Sequence, residues 1–251
     1  MSFSHSKVLY APLLVDHNAP PPSRLIALFE VLICSDYPTQ IAIGQTLALA
    51  GLHAQTSGGE LNITYVAALS LADTVALVGL VVLFLRVHGE RPGRVLFGDR
   101  SVGGEAAAGV PLALVSLVIA IAVLATIQLV VPSLHTVVHN PLQDLLHTPR
   151  DLAIFAGGVV VAGGVREEIQ RAFLLHRFEQ SLGGGAVGIL VVSVAFGSGH
   201  LLQGVDAAIA TGVLGAFWGL VYLRRRSAVA PMVAHSAFNV LQLVQFLIIG
   251  R

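Results

Sequence analysis

The stretch from Ala106 to Val131 contains no charged side chain. A helix of about 20 apolar residues is long enough to cross a lipid bilayer, whereas a spanning β-strand needs only about 10. Every backbone N–H and C=O group inside the hydrocarbon layer must find its partner within the protein, and a helix meets this demand within one segment. The stretch therefore predicts a transmembrane helix, which Pro132 ends.

The composition agrees with a membrane protein. Hydrophobic residues make up 55% of the 251, charged residues make up only 11%, and the mean hydropathy is +0.81, whereas soluble domains carry about 25% charged residues. The formal net charge is zero, so no basic surface indicates a nucleic-acid partner. The single cysteine, Cys34, excludes an internal disulfide and a multi-cysteine metal site.

Apolar segments of this kind recur along the chain and predict an all-α, polytopic transmembrane bundle of about seven spans. We expect Pro38 to break the first segment and Asp36 to cap its second half. No internal repeat or soluble domain interrupts the series, so function is expected inside the bundle. The predicted segments are 24–52, 63–85, 106–131, 151–178, 186–202, 207–223 and 228–249.

Arginine placement predicts the orientation of the bundle and its division into regions. Cytoplasmic loops of membrane proteins are enriched in lysine and arginine, and a cytoplasmic N-terminus collects most of these residues on one side. We expect the cell membrane as the location, with residues 1–23 as a cytoplasmic segment, 24–150 as N-terminal spans and 151–251 as a catalytic core. The residues that would face the cytoplasm are Lys7, Arg24, Arg86, Arg91, Arg94, Arg100, Arg177 and Arg224 to Arg226.

Two adjacent carboxylates and an arginine lie inside the fourth apolar segment, and ionisable residues at this depth are costly and usually functional. Glu167 is four residues and Glu168 three residues from Arg171, so both spacings allow an ion pair on one helix face. We expect Arg171 to hold Glu168 ionised and to leave Glu167 free for chemistry. The alternative is an ion pair that only holds two helices together.

Two further helices carry polar pairs with a spacing of four: Phe196 with His200, and His235 with Asn239. These residue types suit hydrolysis. A carboxylate can act as a general base on water, a histidine can share that water or protonate a leaving amine, and a histidine with an amide can stabilise an oxyanion. Glu167, His200 and His235 could instead bind zinc. No Gly-x-Ser-x-Gly or His-Glu-x-x-His motif is present.

Three motifs in order resemble the CPBP family of intramembrane proteases, which includes CAAX prenyl proteases and bacteriocin-processing (Abi) proteins. That family's pattern is Glu-Glu-x-x-x-Arg, then Phe-x-x-x-His, then His-x-x-x-Asn, and it is matched here by residues 167–168, 196–200 and 235–239. One position departs from the pattern: Arg171 lies one residue too early, and Ala172 occupies the arginine's place. The shift turns the arginine about 100° around the helix.

The resemblance implies an endopeptidase that acts on a membrane-associated, CAAX-like protein or peptide at the lipid bilayer. It implies Glu167 and His200 as the water-activating pair, and His235 and Asn239 as the oxyanion side. Glu168, Arg171 and Phe196 then support the site. No cofactor is expected, because no third histidine or cysteine completes a zinc set; the zinc enzyme is the alternative.

Two non-protease interpretations are also open. A scaffold or immunity-type protein could keep the fold without the chemistry, and a transporter could use Glu167, Glu168 and His200 as a proton relay. A separate histidine pair, His135 and His139, has the spacing of metal ligands, but we expect it to belong to a wet interfacial segment.

Overall fold

The computed structural model describes residues 20–137 and 140–249. The predicted N-terminal segment lies outside the described residues up to position 19, and so does His139. Helices make up nearly all of the described regular structure, and no β-strand occurs in these two ranges beyond a single antiparallel bridge between Gln55 and Leu61. The all-α prediction is confirmed.

Ten α-helices follow one another along the described chain. A π-helical segment, Val159–Arg166, connects the sixth helix directly to the seventh, and short 3-10 turns lie between the fifth and sixth helices and between the eighth and ninth. The helices are α1 (Arg24–Ile33), α2 (Tyr37–Leu49), α3 (Ile63–Val87), α4 (Pro92–Phe97), α5 (Val102–Val130), α6 (Pro149–Gly158), α7 (Glu167–Ser181), α8 (Gly185–Ser198), α9 (Val205–Arg225) and α10 (Val229–Ile249).

The described helices include four that are long and apolar enough to cross a membrane, or five if the bent pair α1–α2 is one span. The prediction of seven spans is therefore not confirmed in number. The predicted fourth segment is divided among α6, the π-helical segment and α7, and it carries several charges. The predicted fifth segment forms α8, whose 14 residues extend about 21 Å in a hydrocarbon layer of about 30 Å.

The first apolar segment breaks where the sequence predicts a break. α1 and α2 meet at an angle of 40°, and Pro38 lies in the first turn of α2, where a proline needs no N–H partner. Asp36 stands at the N-cap position with φ 82° but makes no side-chain cap. The expectation that Asp36 caps α2 is therefore wrong, and its carboxylate bonds elsewhere.

The centre of the bundle is α7, in which every residue from Glu168 to Phe178 is buried. It is surrounded by α1, α3, α4, α8 and α9. Since α7 is rich in polar side chains, other helices must supply partners for them, because a buried unpaired charge is costly. This position brings both glutamates of the predicted site into the middle of the protein.

Candidate active site

Glu168, Arg171 and His235 form a buried ionic group at the start of α7. Arg171 donates to Glu168 Oε1, and the same oxygen lies 2.8 Å from His235 Nδ1. All three side chains are at least nine-tenths buried. The spacing of three residues thus pairs Arg171 with Glu168, as the sequence predicts, even though the arginine departs from the family pattern by one position.

Aromatic rings from α8 and α9 surround this ionic group. The Arg171 guanidinium lies 4.4 Å from the centre of the Phe196 ring and 5.6 Å from that of Trp218, which are distances at which a cation is attracted to the ring face. His235 stacks on Trp218, with ring centres 3.8 Å apart. Trp218 is itself anchored by its Nε1–H, which donates to Ser116 Oγ at 3.0 Å.

Glu167 is the more open of the two glutamates. Its side chain is 15% exposed, and its Oε2 lies 3.8 Å from His235 Nε2. That distance is too long for a direct hydrogen bond. Its other oxygen accepts from Arg166 at 3.3 Å. His235 therefore faces Glu168 with one ring nitrogen and Glu167 with the other.

His200 follows α8, and within the described residues no hydrogen bond or ion pair connects it to Glu167. Its Nδ1 lies 2.9 Å from the carbonyl oxygen of Phe196, and its ring meets the Phe196 ring edge-on at 4.9 Å. A carbonyl oxygen only accepts, so Nδ1 carries a proton and the neutral ring offers Nε2 as an acceptor. Phe196 thus fixes both the orientation and the tautomer of His200.

Asn239 lies one turn beyond His235 on α10 and faces the π-helical segment. Its Nδ2 donates to the Val159 carbonyl oxygen at 3.1 Å, which leaves its second N–H without a partner in the described structure. A Cβ on Gly163 would lie 2.7 Å from this nitrogen, and one on Gly164 would lie 1.8 Å from Ser236 Oγ. Two glycines therefore allow α10 to approach the segment that leads into Glu167. π-Helical turns often occur at functional sites.

Sequence reasoning missed a second charged group beside Glu167. Arg166 donates to Asp36 and, at 2.8 Å, to Asp73 Oδ2, in addition to Glu167. We expected Glu167 to have no charged partner, and this expectation is wrong. The general rule that intramembrane charges find partners could have drawn attention to Asp36, Asp73 and Arg166, but no local spacing connects these residues.

The alternative zinc set does not fit this arrangement. In the two described ranges, no group of three or more histidine, cysteine, aspartate or glutamate side chains is placed to hold a metal ion. Because His235 Nδ1 lies 2.8 Å from Glu168 and His200 Nδ1 lies 2.9 Å from a carbonyl oxygen, only Nε2 of each ring remains as a possible ligand. Of the separate histidine pair, His135 lies 2.6 Å from Asp206, and His139 is outside the described residues.

The fold and the site together define an integral membrane protein with a carboxylate–histidine centre inside its helical bundle. Residues 149–241 match the family model described as type II CAAX prenyl endopeptidase, Rce1-like. The match confirms the resemblance to the CPBP proteases, and it points to a protease, that is, a peptide hydrolase. The matched range contains all of the predicted site residues. Neither the curated proteins nor the solved structures gave a match.

Proposed function

We propose that the protein is an intramembrane endopeptidase that hydrolyses a peptide bond of a membrane-associated substrate of the lipidated, CAAX-like kind. The observation that carries the proposal is the environment of Glu167. This partly exposed carboxylate lies 3.8 Å from His235 Nε2, in a region that matches the Rce1-like family. A second buried carboxylate beside it is already bound by Arg171.

The first step is the activation of water. The gap between Glu167 Oε2 and His235 Nε2 is one that a single water oxygen can bridge, since hydrogen bonds of about 2.8 Å to both atoms fit this separation. Glu167 accepts a proton from this water as the oxygen attacks the substrate carbonyl carbon. The resemblance to the CPBP proteases assigns a second acceptor for this water to His200, whose Nδ1 bonds the Phe196 carbonyl oxygen and leaves Nε2 as the acceptor.

The second step stabilises the tetrahedral intermediate and expels the amine. His235, when protonated, donates from Nε2 to the oxyanion, and the second N–H of Asn239 also donates to it. The C–N bond then breaks, and the proton held by Glu167 passes to the leaving nitrogen. Glu168 and Arg171 hold His235 in place through the 2.8 Å contact at Nδ1 and take no part in proton transfer.

The decisive experiment is peptide cleavage by the purified wild-type protein in lipid vesicles. The probe is a quenched fluorescent peptide that ends in a farnesylated Cys-aliphatic-aliphatic-X sequence. We expect cleavage by the wild type and a loss of at least about a hundredfold in kcat for Glu167→Gln, the size expected for a missing general base. An inactive wild type, or a fully active Glu167→Gln, contradicts the proposal. An active wild type also excludes the scaffold interpretation.

The role of metal is tested on the same preparation. We expect activity without zinc, because Glu167, His200 and His235 are not grouped to hold one metal ion in the described structure. The zinc metalloprotease is the correct alternative if the active protein contains stoichiometric zinc, if chelation removes both zinc and activity, and if added zinc restores the activity.

We further propose that the protein lies in the cell membrane with its N-terminus in the cytoplasm. The arginines between positions 86 and 100 support this orientation by the positive-inside rule. Single cysteines in a Cys34→Ala background provide the test. Labelling from outside the cell at position 57 and none at position 94 is expected; the reverse pattern contradicts the orientation.

A further inference from the structure

The break between α1 and α2 places two neighbouring side chains against two different parts of the proposed site. Asp36 contacts Arg166, which directly precedes Glu167, and Tyr37 contacts the end of α8, two residues before His200. Both residues lie far outside the range 149–241 that matches the family model. Because both residues lie at one kink, side chains from this single backbone feature contact residues next to Glu167 and residues close to His200.

The first of these contacts reaches Glu167 through a guanidinium. Arg166 uses NH1 for Asp36 and Asp73 and NH2 for Glu167, whose Oε1 lies 3.3 Å away. Its side chain is only 6% exposed. Because a planar guanidinium with several fixed partners has little freedom, the two aspartates determine where NH2 points. The location of the Glu167 carboxylate therefore depends on Asp36 and Asp73.

The second contact holds the end of α8. The Tyr37 hydroxyl lies 2.9 Å from Ser198 Oγ and donates to the Ala195 carbonyl oxygen at 3.2 Å. Ser198 is the last residue of α8 and also donates to Ala195, at 2.7 Å. His200 comes two residues later, and its side chain has only the Phe196 carbonyl oxygen as a hydrogen-bond partner in the described structure. Among the residues in 20–137 and 140–249, the Tyr37 hydroxyl is thus the one that makes a long-range hydrogen bond to this helix end.

The backbone at the kink is itself unusual. Asp36 has φ 82°, a conformation that is uncommon for residues other than glycine, asparagine and aspartate. Such strain persists only where the surrounding structure fixes it, and it often occurs at functional sites. Here it turns Asp36 towards Arg166 while α2 starts with Tyr37 directed at α8.

We propose that the α1–α2 break is a positioning element of the active site, with Asp36 orienting Glu167 through Arg166 and Tyr37 orienting His200 through the end of α8. The inference rests on the proposed function, and it adds to the catalytic region a part of the chain that the family match does not include. Asp36, Tyr37 and Arg166 act as positioning residues and do not touch the substrate.

The test compares Asp36→Asn and Tyr37→Phe with matched controls in the same vesicle assay. Asparagine tolerates positive φ as aspartate does, so Asp36→Asn replaces the carboxyl group by an amide without new backbone strain. We expect kcat to fall about tenfold for Asp36→Asn, as for the loss of a residue that orients a reacting group. For Tyr37→Phe we expect a fall of about fivefold, the size of one hydrogen bond. KM should stay within about twofold, because substrate binding is retained.

The controls lose the same chemical groups elsewhere in the bundle. Glu105→Gln removes a buried carboxylate that pairs with Arg225, and Tyr222→Phe removes a hydroxyl that donates to Val95; neither partner is a site residue. Wild-type kcat for both controls, with lowered kcat for both test variants, supports the proposal. Wild-type kcat for Asp36→Asn and Tyr37→Phe, or a change confined to KM, overturns it.

A thermal double-mutant cycle of Asp36→Asn with Glu167→Gln needs no substrate and separates the two proposals. Coupling through Arg166 predicts melting shifts that are not additive, whereas independent sites add. If the wild type cleaves no peptide, the proposed function fails, while the cycle still decides the link between Asp36 and Glu167. Additive shifts overturn that link whether or not the protein is active.

Discussion

α7 carries two buried charge networks. Comparing them distinguishes charges that stabilise the fold from charges that are available for chemistry. The site network consists of Glu167, Glu168, Arg171 and His235, near the start of the helix. The Arg177 network lies near its end, and its members are Glu30, His88, Glu90, His176, Arg177 and Gln180. Both networks connect α7 to distant parts of the chain, and both contain arginine, histidine and glutamate.

The carboxylates of the Arg177 network are fully engaged. Arg177 donates to Glu30 at 2.5 Å and to Glu90 at 2.6 Å, while His88 and His176 bind the remaining oxygens of these two glutamates. In the site network, Arg171 and His235 both bind Oε1 of the buried Glu168, whereas the more exposed Glu167 has an Oε2 whose only neighbour of this kind is His235 at 3.8 Å. A carboxylate oxygen with a free side can accept a proton from water, whereas an engaged one holds helices together.

The largest effect is expected from Arg171→Ala, which damages both the stability and the activity of the site network. The variant leaves Glu168 buried with His235 as its remaining partner, and breaking a buried ion pair costs about 3–5 kcal/mol. His235 also loses its fixed position, so cleavage should fall as well. Folded yield, melting temperature and kcat provide the measurements.

The comparison with the glutamates makes the Arg171 prediction sharper. Glu168→Gln should resemble Arg171→Ala in lowering stability, whereas Glu167→Gln should melt near the wild-type temperature and be inactive. If Glu167→Gln unfolds the protein while Glu168→Gln is stable and inactive, the roles of the two glutamates are reversed.

Arg177→Gln should affect stability alone. The Arg177 side chain is fully buried and joins Glu30 of α1 to Glu90 of the loop before α4. Its loss should destabilise the fold by about 3–5 kcal/mol, measured as a shift in thermal unfolding. The molecules that remain folded should cleave the peptide at the wild-type kcat. A selective loss of kcat at unchanged stability would contradict the division between the networks.

A smaller effect, on activity alone, is expected from Gly163→Ala. The new methyl group would lie 2.7 Å from Asn239 Nδ2, so the amide must move away from the proposed oxyanion position. Loss of one oxyanion donor lowers kcat by about a hundredfold or more, and partial displacement should cost about tenfold. Gly157→Ala is the control, because a Cβ there meets no atom within 4 Å. Equal activity of the two variants would remove Asn239 from the mechanism.

Local features of the site were predictable from the sequence, whereas long-range ones were not. The pairing of Arg171 with Glu168 follows from a spacing of three residues. The contacts of Arg166 with Asp36 and Asp73 bridge 130 and 93 positions, and no periodicity reports such a distance. The same distinction holds for the fold. Helices made of uniform apolar stretches, such as α3 and α5, were predicted from the length of those stretches, but the π-helical segment has no sequence signature of this kind.

The fifth predicted segment, 186–202, is longer than the helix that it forms. The predicted segment continues to Leu202, whereas the helix ends at Ser198, in the sequence Gly197-Ser198-Gly199, which favours a helix end over continuation. How far a helix reaches across the bilayer was therefore not determined by its hydrophobicity. The length of α8 depended instead on the small residues at its end, and the contacts of these residues with α2 and α9 determine where the helix stops.

The smallest expected effect is a pH dependence of stability that belongs to the Arg177 network. Glu90 lies between α3 and α4, outside the candidate spans. Burial raises the pKa of Glu90, but the hydrogen bond from His176 and the charges of His176 and Arg177 outweigh burial and hold this pKa below its ordinary value. A carboxylate with a lowered pKa in the folded state stabilises the fold fully above its unfolded pKa of about 4.3, and this contribution disappears as the pH falls through the folded pKa.

Glu90→Gln should therefore be less stable than the wild type at pH 7, and the difference between their melting temperatures should narrow as the pH falls below about 4.3. Glu60→Gln is the matched control, since the side chain of Glu60 is 67% exposed and its histidine partner lies 4.0 Å away; exposed pairs of this kind contribute little. If the difference in melting temperature between Glu90→Gln and the wild type stays constant down to acid pH, His176 and Arg177 do not hold Glu90 ionised. The Arg177 network would then stabilise the fold by packing and neutral hydrogen bonds, and its charges would no longer distinguish it from the site network.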